Sequence, residues 1–265
     1  MKISVVQINC VLGNIDKNLK KISDYVLKAK QEHCKLVVFP EMVDTGYHME
    51  TISKKASSWN NNSPYSLIKS FGKKNNINII CNISERVDNK IYNTTLVVNS
   101  KGQEIGKYRK NHLADFPPIN EGSCFSPGQN ITIVKINNFK FGLLTCYDLR
   151  FPEISRAYAL KGVHGLVLCS AWPCQRLFHW NTLICARAIE NQIYFIAANR
   201  VGTDKSISFC GSSMIVDPSG EIISSAFENN ESLIFSEVNL ETIKKIKALM
   251  PVFQHRTIID KHISL

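Results

Sequence analysis

Cys146, one of nine cysteines in the 265-residue chain, lies where a nucleophile could act. It directly follows the apolar segment 139–145, a predicted strand, and a predicted helix begins shortly afterwards, near Pro152. A thiol at a strand-to-helix turn is exposed at the end of the sheet, beside free backbone N–H groups that could hold an oxyanion. From its position alone, Cys146 could equally be a buried packing residue.

Two other residues with suitable chemistry also follow predicted strands. Glu41 comes directly after the apolar strand 36–39 and Pro40, at the carboxyl end where α/β sheets place reacting groups. A carboxylate in that position could act as a general base. Lys110 follows the predicted strand 103–108. Taken singly, Glu41 could instead cap a helix or lie in a loop, and Lys110 could be an ordinary surface lysine.

Alternating or wholly apolar segments predict the elements that position these three residues. Strand 3–9, helix 17–34 and strand 36–39 form a β-α-β unit that ends just before Glu41. The order of all elements indicates an α/β fold with two layers of mixed sheet and helices outside. The loop 109–130 is long for a compact domain, and such loops are often functional. Beyond the β-α-β unit, the sequence predicts helices at 64–75, 152–161, 177–191 and 240–249, and strands at 77–84, 92–99, 103–108, 131–136, 139–145, 165–170, 193–198, 211–216, 221–226 and 232–238.

Composition limits the class of protein. With 265 residues, 44% of them hydrophobic, the chain can bury a sizeable core, and a single domain over residues 1–265 is expected. No signal peptide and no membrane span are predicted, so we expect a cytoplasmic protein without a membrane partner. The spacing of the cysteines and the seven histidines favours neither a disulfide framework nor a metal site. The net charge of +10 comes from scattered lysines, which indicates a solvated surface rather than a nucleic-acid site.

Glu41, Lys110 and Cys146 lie in segments that together resemble the nitrilase superfamily of carbon–nitrogen hydrolases, in the order and contexts of its catalytic residues. The resemblance extends from Ile3 to Phe253. It implies a four-layer αββα sandwich of the nitrilase type, which usually forms a homodimer through the helices that follow Cys146 and Trp172. It implies no metal or organic cofactor. The segments are Phe39-Pro-Glu41, Tyr108-Arg-Lys110-Asn-His-Leu113 and Leu144-Thr-Cys146-Tyr-Asp-Leu-Arg-Phe-Pro-Glu153.

The resemblance also implies a role for each residue of the site. Cys146 would attack an amide carbonyl, and Glu41 would carry the proton from the thiol to the departing ammonia. Lys110 and the backbone N–H of Tyr147 would hold the oxyanion. A thioester would form, and water activated by Glu41 would release the acid. Glu121, in the loop 109–130, would orient Lys110 and help to position the substrate. Lys110 is also expected to favour the Cys146 thiolate.

Two further segments resemble bacterial omega-amidases, which hydrolyse 2-oxoglutaramate and 2-oxosuccinamate: the segment from Cys169 to Trp180, and Met250-Pro-Val-Phe253. A small keto-acid amide is therefore the expected substrate. Arg176 would clamp its carboxylate, although this arginine could equally pair with a carboxylate of the protein. Aromatic residues could line the pocket or belong to the core, and these are Trp172, Phe116 and Tyr47.

Other hypotheses use the same three residues. An N-carbamoyl amidase, a deaminated-glutathione amidase or a true nitrilase would also need Glu41, Lys110 and Cys146, although true nitrilases generally carry a longer C-terminal region. A non-enzymatic alternative is a catalytically silent binding module. That alternative is disfavoured because all three residues are present in their expected contexts.

Overall fold

Two six-stranded mixed sheets lie at the centre of the computed structural model, which describes residues 1–257. Up to the end of the long loop, the elements are β1 (Lys2–Gln7), α1 (Ile15–Gln31), β2 (Leu36–Val38), α2 (Met49–Lys55), α3 (Pro64–Asn75), β3 (Asn78–Val87), β4 (Lys90–Val98), β5 (Glu104–Arg109), β6 (Asp115–Phe116) and β7 (Ile119–Asn120). They are followed by β8 (Ile133–Ile136), β9 (Phe139–Thr145), α4 (Pro152–Leu160), β10 (Gly165–Ser170), α5 (Leu177–Asn191), β11 (Tyr194–Asn199), β12 (Val201–Asp204), β13 (Ile207–Cys210), β14 (Met214–Val216), β15 (Ile222–Ser225), β16 (Ser232–Glu237), α6 (Leu240–Leu249) and α7 (Val252–His255). Short 3₁₀ helices lie at Glu121–Ser123, Cys146–Arg150 and Cys174–Arg176.

Both sheets have a parallel centre with antiparallel flanks. The first sheet has the order β16-β1-β2-β3-β4-β5, and β1, β2 and β3 run parallel. The second has the order β15-β14-β11-β10-β9-β8, and β9, β10 and β11 run parallel. A backbone hydrogen bond from the Glu41 N–H to the Ser170 carbonyl (3.3 Å) connects the carboxyl ends of β2 and β10. The strand ends that carry the candidate residues therefore meet across the two sheets.

Side-chain alternation along β1 explains the layering. Ile3 and Val5 pack in the core cluster between the sheets, whereas Val6 belongs to the cluster under α1 and α3. Helix α1 packs through a stripe of buried side chains that includes Leu19 and Ile22, spaced as on one helix face. On the other side, α4 and α5 cover the second sheet. The result is the predicted α/β fold, a four-layer αββα sandwich.

Long periodic segments were predicted accurately. Three helices, 64–75, 177–191 and 240–249, and two strands, 139–145 and 165–170, have the predicted bounds. Other elements differ by a few residues at their ends. The helix predicted at 17–34, for example, begins at Ile15 behind the N-cap Asn14 and ends at Gln31.

Elements with little apolar periodicity were not predicted. Helix α2 buries only Ile52, so its sequence carries no apolar stripe. The hairpin of β12 and β13 has two strands of four residues each, which are too short to show a periodic pattern. The segment 109–130, predicted to be a loop, contains the two-residue strands β6 and β7 and a 3₁₀ turn. Among the described residues, no helix is long and apolar enough to span a bilayer.

Tyr158 fixes α4 against β9, the strand that ends at Cys146. Its hydroxyl is buried, donates to the Leu143 carbonyl (2.8 Å) and accepts from the Thr132 N–H (2.9 Å). The ring lies directly over Gly142, where an added Cβ would come within 2.6 Å of it. A glycine on the strand is therefore needed for this close contact.

We expect Tyr158→Phe to lower the free energy of unfolding by about 1–3 kcal/mol, because the Leu143 carbonyl loses a buried hydrogen bond and the Thr132 N–H loses a partly buried one. Urea denaturation followed by circular dichroism measures the change. Tyr65→Phe is the control, since the Tyr65 hydroxyl accepts a long hydrogen bond from the Lys69 side chain (3.3 Å) and its removal should cost less than about 0.5 kcal/mol. Equal effects of the two substitutions would contradict the anchoring role.

Candidate active site

Cys146 begins a 3₁₀ helix at the end of β9 in an unusual backbone conformation. Its φ is 45°, in the left-handed region that costs a non-glycine residue about 1–3 kcal/mol. The turn is held by Asp148, whose carboxylate accepts the N–H of Thr145 (2.9 Å) and so caps the 3₁₀ helix. This geometry is that of a nucleophile at a sharp strand-to-helix turn.

Asp148 also connects this turn to the segment after β5. The Tyr108 hydroxyl donates to its carboxylate (2.6 Å), and His112 approaches it through both the backbone N–H (3.1 Å) and Nδ1 (2.7 Å). Tyr108 and His112 flank Lys110 on either side in the sequence. One buried carboxylate thus positions the segments that carry Cys146 and Lys110.

Glu41 is fully buried, and both of its carboxylate oxygens accept hydrogen bonds. Oε1 accepts from Asn93 Nδ2 (2.6 Å) and from Lys110 Nζ (3.0 Å). Oε2 accepts the backbone N–H of Ala171 (2.8 Å), just beyond β10. Residues from both sheets therefore hold this carboxylate in one orientation.

Lys110 is buried between two carboxylates. Besides Glu41, its Nζ donates to Glu121 Oε1 (2.8 Å). Glu121 in turn accepts from the Tyr47 hydroxyl (2.7 Å) and from the Ala114 N–H (2.6 Å). Burial lowers the pKa of Lys110, but Glu121 and Glu41 outweigh burial and hold the pKa well above its ordinary value. The lysine is therefore charged in a site that excludes water.

Burial has the largest effect on the pKa of the Cys146 thiol. Burial raises its pKa well above the ordinary value, Glu41 raises it further, and Lys110 opposes both. Lys110 thus favours the thiolate, as predicted, but burial and Glu41 together outweigh its effect on the pKa of Cys146. Cys146 rests as a protonated thiol beside an ionic cluster.

Burial and the Glu41 charge likewise raise the pKa of Glu121, against the opposing effect of Lys110.

A small cleft opens over the nucleophile, with about 250 Å³ of empty space that includes its open side. Of the predicted substrate-binding residues, Phe116, Tyr147, Trp172 and Arg176 line it. Glu121 and Tyr47 do not, because they are buried behind the cleft around Lys110. The other lining residues are Ala114, Ile119, Cys146, Arg150 and Pro173.

Among the residues that sequence analysis missed, three have polar side chains that contact or line this site. They are Asn93, which donates to Glu41, Asp148, which holds the turn, and Arg150, which lines the cleft. Asp148 and Arg150 lie two and four residues after Cys146, so their places in the turn were the available signal. Asn93 lies on β4 with no such signal, because only the pairing of β4 with β3 brings it to Glu41.

Arg150 and Arg176 present two guanidinium groups to the cleft. The Cζ atom of Arg150 lies 4.7 Å from the centre of the Trp172 ring, and that of Arg176 lies 5.0 Å from the Phe116 ring centre. Within residues 1–257, neither guanidinium forms an ion pair with a carboxylate. The structure therefore does not support the alternative in which Arg176 pairs with a carboxylate of residues 1–257.

Comparison with known proteins assigns the family. The pattern of the carbon-nitrogen hydrolase family matches residues 2–248. The chain belongs to this family. The hydrolase is 32% identical to the 2-oxoglutaramate amidase of Bacillus subtilis over 95% of each chain. It is also 32% identical to the deaminated glutathione amidase of Escherichia coli, over 91% of this chain and 92% of that protein.

A solved structure extends the likeness to the fold. The omega-amidase Nit3 of Saccharomyces cerevisiae is 30% identical to this hydrolase over 97% of this chain and 93% of its own length. The crystal structure of Saccharomyces cerevisiae Nit3, a member of branch 10 of the nitrilase superfamily, has a TM-score of 0.89 at 29% identity and covers 97% of both chains. The hydrolase is thus a nitrilase-superfamily member in sequence and in fold.

The raised pKa of Cys146 predicts how this hydrolase reacts with iodoacetamide. Only the thiolate reacts, so the rate constant at Cys146 should rise about tenfold per pH unit from pH 7 to 9 without a plateau. Glu121→Gln should increase the rate at each pH, because it removes a negative charge that raises the pKa of the thiol. Mass spectrometry of the Cys146 peptide measures the rates, with the exposed Glu104→Gln as control. A plateau below pH 8 would contradict the prediction.

Proposed function

We propose that this hydrolase is an omega-amidase that converts the terminal amide of small keto-acid amides, such as 2-oxoglutaramate and 2-oxosuccinamate, to acid and ammonia. The observation that carries the proposal is the cleft shared by Cys146 and Arg176, whose guanidinium has no carboxylate partner in the described chain. A substrate with an amide at one end and a carboxylate at the other matches this pair. The relatives named as 2-oxoglutaramate amidase and omega-amidase support the same substrate class.

In the first step, the Cys146 sulfur attacks the amide carbon while its proton passes to Glu41. Because the thiol rests protonated, proton transfer and S–C bond formation belong to the same step. The carbonyl oxygen becomes an oxyanion, held by Lys110 and the backbone N–H of Tyr147. The buried charge of Lys110 acts strongly here because the surroundings exclude water.

In the second step, the C–N bond breaks as Glu41 returns its proton to the nitrogen, and ammonia leaves. The acyl group remains on Cys146 as a thioester. Water then attacks the thioester carbon and gives a proton to Glu41, which passes it to the sulfur as the C–S bond breaks. The net reaction consumes one amide and one water and yields one acid and one ammonia.

Glu121 suits a role as the permanent counterion of Lys110. When Glu41 takes up the thiol proton, its negative charge disappears, and Lys110 would otherwise be a buried cation without a partner. The hydrogen bond from Lys110 to Glu121 (2.8 Å) supplies that partner throughout the cycle. Tyr47 and Ala114 hold Glu121 in place from the other side.

A second candidate is a deaminated-glutathione amidase. The cleft adjoins a larger open chamber past Arg176, which a longer amide could occupy, and the Escherichia coli relative carries that name. A panel of 2-oxoglutaramate, deaminated glutathione and an N-carbamoyl amino acid distinguishes the candidates by kcat/KM. The highest value for either of the last two would replace the omega-amidase proposal. The chamber is lined by Pro118, Ile119, Pro173, Gln175, Arg176, His179, Ser206 and Ile207.

The central test is ammonia release from 2-oxoglutaramate. Cys146→Ala should lower kcat by at least about 10⁴-fold, because the nucleophile is lost. Lys110→Met should lower it about 10²–10³-fold through loss of an oxyanion donor. Cys34→Ala is the control, since this thiol packs under α1 away from the cleft. Turnover by a folded Cys146→Ala variant would contradict the mechanism, and no turnover by the wild type would contradict the substrate.

We also propose that the hydrolase forms a homodimer through α4 and α5. These helices leave large apolar side chains exposed, with Leu160 at 49%, Phe178 at 78% and Ile189 at 52% of their full exposure. A second copy of the chain would cover this surface and remove the apolar side chains from water.

Sedimentation equilibrium should therefore give the mass of two 29.9 kDa chains. Phe178→Asp should shift the mass toward one chain, because a buried unpaired charge is costly at an interface. Leu27→Asp is the control, since Leu27 is exposed on α1 in the opposite layer. A monomeric wild type would contradict the dimer proposal.

A further inference from the structure

Ser170 is the last residue of β10, and the mechanism above does not use its side chain. We propose that the Ser170 hydroxyl donates a hydrogen bond to the Cys146 sulfur as negative charge develops there. This bond would speed the steps in which the sulfur attacks the amide and later leaves the acyl group. The inference rests on the proposed function in one respect, because it takes Cys146 to be the nucleophile.

Strand pairing brings Ser170 next to the nucleophile. Strands β9 and β10 run parallel, with Thr145 opposite Cys169. The next residue along the chain is Cys146 in one case and Ser170 in the other, so the two lie side by side where the strands end. Both residues are buried, and Ser170 is completely covered. Because a serine side chain is short, its hydroxyl can contact only its immediate neighbours.

The backbone around Ser170 is held by the candidate general base. The Ser170 carbonyl accepts the N–H of Glu41 (3.3 Å) and the N–H of Arg200 (3.2 Å). The next N–H in the chain, that of Ala171, donates to Glu41 Oε2 (2.8 Å). Ser170 therefore cannot move away from the nucleophile without disturbing Glu41, and its hydroxyl can adjust only by rotation about the side-chain bonds.

The Ser170 hydroxyl is buried and has no hydrogen-bond partner within residues 1–257. Buried hydroxyl groups normally have a partner, because they have lost their bonds to water. Asn199, opposite Ser170 on β11, is already engaged by the Trp172 N–H and the Gly211 carbonyl. The hydroxyl does lie close enough to Cys146 to lower the pKa of the thiol. The sulfur is therefore the acceptor within reach of this unpaired donor.

A donor that is unpaired at rest and paired when charge appears favours the charged form. The resting thiol is a weak acceptor, whereas a sulfur that loses its proton to Glu41 becomes a much stronger one. The bond from Ser170 is therefore stronger in the transition state than in the ground state, which is the condition for lowering a barrier. The hydroxyl keeps its proton throughout. It would meet the sulfur again when the C–S bond of the thioester breaks.

Ser170→Ala tests the contact through the reactivity of Cys146, without any amide substrate. Loss of the hydrogen bond should lower the thiolate population about 10- to 30-fold, and the greater nucleophilicity of a more basic thiolate offsets part of that loss. The rate constant with iodoacetamide should therefore fall about 3- to 6-fold at each pH from 7 to 9. Ser155→Ala is the matched control, since Ser155 on α4 is also fully buried, has no hydrogen-bond partner for its hydroxyl in the described chain, and does not line the cleft. An unchanged rate, or the same fall in both variants, would overturn the inference.

Turnover separates a catalytic role of Ser170 from a structural one. Ser170→Ala should lower kcat/KM for 2-oxoglutaramate about 5- to 20-fold, while Ser155→Ala leaves it unchanged and both variants keep the circular dichroism spectrum of the wild type. Slower alkylation of Ser170→Ala with an unchanged kcat/KM would overturn the catalytic contribution. If the wild type does not hydrolyse 2-oxoglutaramate but Ser170→Ala still slows alkylation, the proposed substrate is refuted and the hydrogen bond to Cys146 stands.

Discussion

A lysine can remain charged in a protein interior only if anions surround it, and the candidate active site is built around that constraint. Lys110 is buried, and its ammonium group lies between the carboxylates of Glu41 and Glu121. Each carboxylate is itself held by donors from other elements, through Asn93 and Ala171 on one side and Tyr47 and Ala114 on the other. Both sheets and the long loop must therefore be in place before the charges balance.

The same constraint explains why the nucleophile rests as a thiol. Two carboxylates and one ammonium group leave a net negative charge in the cluster, and a second anion on sulfur would be buried beside it. The pKa of Cys146 is raised accordingly, by burial first and by Glu41 second. A protonated thiol next to a carboxylate can react only with proton transfer, which gives Glu41 a place in each half of the proposed reaction.

The buried arginines and the two arginines of the cleft lie in different environments. The buried arginines have carboxylate partners, as Arg200 has in Asp204, and their role is structural. Arg150 and Arg176 have aromatic surfaces beneath them and no carboxylate in the described chain. The proposal of an anionic substrate rests on these unpaired cations, and the rest of the cleft wall includes apolar side chains.

The sequence alone determined the layers of the fold and the three central residues of the site. Apolar periodicity is a local property, so the βαβ unit, the strand before Cys146 and helix α5 could be predicted with little error. The motifs around Glu41, Lys110 and Cys146 indicated the family, because each motif is one short continuous segment at the end of a strand.

Only the tertiary structure decided which distant segments of the chain contact each other. Asn93 reaches Glu41 across 52 positions, and Tyr47 reaches Glu121 across 74, so no local pattern connects them. Tyr47 was expected to line the pocket or to belong to the core, and it lies in the core behind Lys110, where its hydroxyl also donates to Glu121. The protonation state of Cys146 also depends on burial, which arises only when both sheets and the loops above them pack together.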